Sequence, residues 1–145
     1  MRTETLVTDR GFRLRAKVPE TGWERARGLL GRDSLAPETA LFLERARSIH
    51  TVGMRFVLGI AFLDAHLRVL HIVRVPPGRL LVRRRGARHV LELRPDVGLR
   101  AGDRVTRLGP TSGRDPALGT ARRILALYFR GCPRVGGAGS SAPIV

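Results

Sequence analysis

Cysteine is almost absent from this chain: Cys132 is the only one in 145 residues. A single thiol excludes an internal disulfide and any zinc site built on cysteine. It lies near the end of the chain among glycine and proline, and reads as a tail thiol rather than a nucleophile. Lysine is equally scarce, with Lys17 the only one, and aromatic residues make up 5% of the sequence. Few aromatics leave few platforms for stacking the bases of a single strand. Long apolar runs are missing as well. The longest, Phe56 to Leu63, falls far short of the roughly 20 residues a membrane-spanning helix needs. Met1 to Arg10 is charged and lacks the apolar core of a signal peptide. These absences predict a cytoplasmic protein with no membrane span. There is no Gly-x-Gly-x-x-Gly or Walker loop, so the sequence implies no cofactor.

What is abundant is arginine, and the formal net charge is +15. Such a balance favours contact with nucleic acid or another anionic surface. Arg83, Arg84 and Arg85 form the densest cluster and are the candidates for nucleic-acid contact. Against that reading, the arginines are spread along the whole chain. An arginine-over-lysine bias of composition would also give this charge with no partner in view.

A chain of this length is long enough for one domain with a core of its own. Thr3 to Thr8 reads as a strand, broken by the turn at Asp9-Arg10-Gly11. Phe12 to Val18 alternates, with Phe12, Leu14, Ala16 and Val18 on one face, so the two predict a hairpin. Pro19 ends the second strand. Glu20 to Leu30 is the helix candidate, with Thr21 as N-cap, Glu24 at capping-box spacing and Gly31 as C-cap. Trp23, Ala26, Leu29 and Leu30 fall on one face, so Trp23 reads as a core anchor, with stacking on a ligand as the alternative. After a loop around Pro37 come a short apolar run, Ala40 to Leu43, and a strand edge, Ile49 to Thr51.

Phe56 to Leu63 has the length and bounding turns of a strand buried on both faces. It turns at Asp64-Ala65-His66 and returns as Leu67 to Val75, the strongest hairpin signal in the chain. Leu80 to Val82, Arg88 to Leu93 and Arg104 to Leu108 complete the strands. From Gly109 the composition shifts to Gly, Pro, Ser and Thr. That boundary predicts a single domain over 1–108 and a tail over 109–145, with a short helix over 121–129 and the remainder disordered. Many short strands and one helix predict a mostly β fold, a sandwich or barrel.

Four stretches, in order, resemble the motifs of one family. They are Glu24-Arg25-Ala26-Arg27-Gly28-Leu29-Leu30-Gly31-Arg32; Ile49-His50-Thr51-Val52-Gly53-Met54-Arg55-Phe56 followed by Ile60-Ala61-Phe62-Leu63-Asp64; Ala87-Arg88-His89-Val90-Leu91-Glu92-Leu93; and Ala101-Gly102-Asp103. The family is domain of unknown function 192, and the likeness covers roughly Val7 to Leu108. The resemblance implies a compact, mostly β domain of sandwich or jelly-roll type and no established activity. Many members carry Pro-Leu-Asp or Pro-Ile-Asp where this chain has Val57-Leu58-Gly59. If that aspartate serves chemistry or a ligand in the family, this chain has lost it.

The four histidines, His50, His66, His71 and His89, match no metal-ligand spacing and have no cysteine nearby, so no metal site is predicted. His66 reads as a solvated turn residue and His71 as a hydrogen-bonded core histidine. Ser48, His50 and Asp64 could be drawn as a triad, but there is no nucleophile elbow. The two glycines of Arg27-Gly28-Leu29-Leu30-Gly31-Arg32 sit at a helix end, the wrong pole for phosphate. The site expected instead is a pocket for a small polar or anionic ligand. Its candidates are His50, Thr51, Met54, Arg55, Arg88 and Glu92. Arg55 and Arg88 would fork onto an anion, with Glu92 holding Arg88; a plain surface ion pair is the ordinary alternative, worth under about 1 kcal/mol. A basic interaction module that binds nucleic acid or an acidic protein, and an enzyme acting on a small anionic substrate, are the other two readings.

Overall fold

The computed structural model describes residues 1–110 of the chain. The helix expected over 121–129 and the tail beyond Pro110 lie outside the described residues. The described part is mostly β. Nine strands run in chain order: β1 (Arg2–Thr8), β2 (Arg13–Val18), β3 (Thr39–Leu43), β4 (Ser48–Ile49), β5 (Leu58–Leu63), β6 (Val69–Val75), β7 (Val82–Arg83), β8 (His89–Leu93) and β9 (Val105–Pro110), with one helix, α1 (Gly22–Arg27), between β2 and β3.

Seven strands form one mixed sheet in the order β6-β5-β8-β3-β2-β1-β9, and β4 and β7 form a separate two-stranded ribbon. The two hairpins expected from alternation and turn signals are present as β1–β2 and β5–β6. Only β2 and β3 pair in parallel. A parallel pair needs a crossover connection, and the α1 segment supplies it. The sheet stays open. Its edges meet at one corner through a single Arg68–Arg104 bridge, where the Val69 N–H donates to the Asp103 carbonyl at 2.8 Å. Asp103 secures that corner: Arg10 donates to its two carboxylate oxygens at 2.7 Å each, and the Arg100 N–H donates to Oδ2 at 2.8 Å. The closing Ala101-Gly102-Asp103 turn is thus a structural clamp.

Strands β5, β8 and β3 are buried on both faces, as β5 shows with all six of its residues buried. Alternate residues go to different cores. Ala40, Phe42, Ala61, Leu63, Leu91 and Leu93 pack with the inner residues of β1 and β2. Leu41, Leu43, Leu58, Ile60, Phe62 and Val90 pack on the opposite face under Leu29, Leu35, Ile49 and Ala87. The second face is therefore roofed by the crossover and the ribbon rather than by another sheet.

Several local expectations need correction. Thr21 does cap α1 with a complete capping box, but the helix stops at Arg27 and Gly28 is its C-cap. No residue of α1 is buried, and Trp23 is 75% exposed, so it is not a core anchor. The apolar contact comes just after the helix, from Leu29 and Leu30. His71 is exposed on edge strand β6, so it is not a core histidine. Leu80 and Leu81 face outward before β7. Short apolar runs fix no direction by themselves, and at each of these places the neighbouring element decides the outcome.

Candidate functional site

The roofed face carries a cavity of about 390 Å³. The crossover contributes Arg25, Ala26, Arg27, Leu29 and Leu30 to it, the last residue of β3 gives Leu43, the β3–β4 turn gives Arg45, Ala46 and Arg47, and the segment after it adds Ser48, Ile49 and His50. Met54 and Glu92 complete the lining. Three expected residues, His50, Met54 and Glu92, therefore share one cavity.

Glu92 is the unusual member. It sits on β8 opposite Leu41 of β3 and Ile60 of β5, which places a carboxyl on an otherwise apolar face. It is 7% exposed. Among the described residues nothing forms an ion pair or side-chain hydrogen bond with it, and burial alone pushes its pKa up to about 7. Desolvation penalises the charged form, so near neutrality this group is poised between donor and acceptor. Around it stand Arg25, Arg27, Arg45 and Arg47. None of these four pairs with a carboxylate among the described residues, although Arg2, Arg10, Arg55, Arg94 and Arg107 elsewhere each do. Arg45 has φ +53. A non-glycine residue in that region is uncommon and is a pointer to function where it lines a cavity.

The other expected residues go elsewhere. Thr51 is fully buried and bonds the backbone of the loop after β6: its hydroxyl donates to the Pro76 carbonyl at 2.7 Å and accepts from the Arg79 N–H at 3.0 Å. Arg55 does not line the cavity; it forms an exposed pair with Asp33 at 2.9 Å. Arg88 precedes β8 and lines a separate cleft with Arg47, Arg83, Arg84 and Arg85. The expected Arg55–Arg88 fork is not assembled, and no Arg88–Glu92 ion pair is formed among the described residues. Arg88 is exposed at the strand entry while Glu92 lies buried within the sheet, so the four-residue spacing does not bring them together.

The arginines at the cavity were missed by sequence reading. Arg25 and Arg27 stand inside the first family-like motif, whose glycines drew attention instead. Arg45 and Arg47 carry no motif at all; the β3–β4 turn alone delivers them. Ser48 and His50 line the cavity, yet neither side chain is hydrogen-bonded to another described residue, so no triad with Asp64 is formed. Asp64 instead accepts from the His66 and Arg68 N–H groups at 2.8 and 2.9 Å within its own turn. His89 is committed to packing: it stacks on Phe42 with centroids 5.6 Å apart, and its Nδ1 accepts from the Arg45 N–H at 3.3 Å. Among the described residues no group of three or more His, Cys, Asp or Glu could hold a metal. No helix there is long and apolar enough to cross a membrane.

Gly59, where the resemblance implies an aspartate, is closely hemmed in. A Cβ on Gly59 would stand 2.9 Å from the Arg94 carbonyl oxygen and 3.0 Å from Pro95 Cα. Here the backbone after β8 occupies the room a side chain would need.

The model of an uncharacterised family, DUF192, described as an uncharacterized ACR, matches residues 5–107. No curated protein matches the chain. Two solved structures share its fold. One is a protein of unknown function from Novosphingobium aromaticivorans, 24% identical with a TM-score of 0.60, over 72% of this chain and 83% of that one. The other is a putative transcription regulator from Sinorhizobium meliloti, 20% identical with a TM-score of 0.61, over 73% of this chain and 92% of that one.

Proposed function

The chain belongs to the DUF192 family, and from that premise we propose that it is a binding domain for a small organic anion that also carries a hydroxyl or amino group. The observation that carries this reading is Glu92. Glu92 is 7% exposed and has no ion-pair partner among the described residues, a largely desolvated setting that is costly for a charge, and its carboxyl lines a cavity rimmed by unpaired guanidiniums. A ligand from outside supplies what both lack. Its anionic group meets the arginine rim, where guanidinium forks match a carboxylate or phosphate. Its hydroxyl or amino group bonds Glu92. Its apolar part lies on Leu29, Leu43, Ile49 and Met54. A cavity of this volume, with an apolar floor and a few convergent polar groups, is the ordinary form of a small-molecule site.

An enzymatic reading would rest on the same Glu92 as proton donor or acceptor. Ligand binding is carried further by the geometry, since no nucleophile in the cavity is hydrogen-bonded to a base.

The test is a thermal-shift panel of small hydroxy acids and amino acids on the wild type, Glu92→Gln and Ile49→Trp. At least one compound is expected to raise the melting temperature of the wild type. The shift should shrink in Glu92→Gln and vanish where the tryptophan fills the cavity. A panel that moves none of the three proteins, or all three alike, overturns the reading.

A further inference from the structure

The second cleft stands apart from the Glu92 cavity in its chemistry. It has a volume of about 490 Å³ and is lined by Arg47, Arg83, Arg84, Arg85 and Arg88, with Gly86 and Ala87 between them. Three features of the fold bring these side chains together. Ser48 pairs with Arg83 across the β4–β7 ribbon, which sets Arg47 beside the arginine run. Gly86 takes φ +84, so the chain turns back after Arg85, and the Ala87 N–H closes the turn on the Arg84 carbonyl at 3.3 Å. Ala87 is buried, which anchors the turn from below. Among the described residues no carboxylate pairs with any of the five.

Five like charges around one concavity repel one another, and the fold leaves them without counter-charge while it pairs arginines elsewhere. We infer that this cleft is a binding site for a compact oligophosphate, a ligand with two or three linked phosphoryl groups. Guanidinium forks match phosphate oxygens two at a time, and several arginines arriving from one tight turn and one neighbouring strand can engage adjacent phosphoryl groups together. A nucleic-acid backbone has the same chemistry but is favoured less. No aromatic residue lines the cleft to stack a base, and the arginines converge on a concavity rather than spread along a face.

The experiment is a titration of the full-length protein with inorganic tripolyphosphate at about 0.15 M ionic strength, with short single-stranded DNA as competitor. Arg84→Ala/Arg85→Ala/Arg88→Ala is compared with Arg13→Ala/Arg15→Ala/Arg104→Ala, which removes the same charge from exposed positions outside the cleft. Saturable one-to-one binding is expected. It should weaken by at least about tenfold in the cleft variant and change little in the control variant or in Glu92→Gln. The single change Arg85→Gln serves if the triple variant does not melt cooperatively, and should weaken binding in the same direction. Equal loss in both triple variants would show a net-charge effect only and overturn the proposal. So would unsaturable binding, or DNA that binds and is not displaced by tripolyphosphate. Because Glu92 does not line this cleft, which shares only Arg47 with the small-ligand cavity, the comparison with Glu92→Gln distinguishes failure of this proposal from failure of the small-ligand reading.

Discussion

The Thr51 hydroxyl donates to the Pro76 carbonyl at 2.7 Å, joining the segment after β4 to the end of β6. The same oxygen accepts from the Arg79 N–H at 3.0 Å. Backbone bonds flank the pair: the Thr51 N–H donates to the Arg79 carbonyl and the Gly78 N–H to the Thr51 carbonyl, both at 2.8 Å. One buried threonine thus closes the whole Pro76–Arg79 turn. Thr51→Val keeps the shape but strands an acceptor and a donor, and should cost about 2 kcal/mol. Thr51→Ser keeps both bonds and should lose about 1 kcal/mol for the missing methyl. Urea unfolding of the two variants checks the order; equal losses would show that only packing matters there.

Glu92 predicts a pH dependence of stability. Its pKa rises on folding from the usual 4.5 to about 7, so the folded state holds a proton that the unfolded state has released between those values. Stability is full below about pH 4.5 for this group and falls as pH rises through the window, by about 3 kcal/mol in all. Glu92→Gln should remove that loss and be the more stable protein at pH 8. Melting curves taken from pH 5 to 8 on both proteins test it. Parallel curves would mean that the carboxyl is not buried as described.

Strand β5 sits between β6 and β8 and has no exposed residue. Phe62 is 1% exposed and packs in the second core. Phe62→Ala should cost roughly 3–5 kcal/mol through lost transfer energy and the cavity it leaves. A melting temperature equal to that of the wild type would show that the strand is not central.

Gly59 is held by close backbone approach. Gly59→Ala would push a Cβ against the Arg94 carbonyl and Pro95, neither of which is the mobile end of a side chain. The expected loss is about 2 kcal/mol. Gly59→Asp should lose more, since a carboxylate would face a carbonyl oxygen. Both substitutions are therefore expected to destabilise this chain, and unfolding midpoints of the two variants decide it.

Much of the fold is legible in the residues. The alternation of Phe12 to Val18, the unbroken run ending at Leu63 and the Asp64-Ala65-His66 turn each state a local preference that the sheet agrees with. The capping box at Thr21 and Glu24 is a local device and forms as expected, with the Glu24 N–H donating to Thr21 Oγ1 at 3.1 Å. The end of α1 was not legible, because Leu29 and Leu30 fit a continued helix as well as they fit the roof of a core. His50, Met54 and Glu92 were singled out from the stretches around β4 and β8. Their arginine partners were not, since Arg25, Arg27, Arg45 and Arg47 look like any other arginine in so basic a chain.

By itself the sequence determined the class of structure: periodicity, turn residues and the absence of long apolar runs are local properties that need no knowledge of neighbours. Only the tertiary structure decided which charges meet. Parallel pairing of β2 with β3 forces the crossover over one face, and this brings the arginines of α1 to the cavity that Glu92 lines. The β4–β7 ribbon sets Arg47 beside Arg83 to Arg88, in a cleft that Arg55 does not line. Electrostatic partners are chosen by distances of a few ångströms between segments far apart in the chain, and sequence spacing carries no record of those distances.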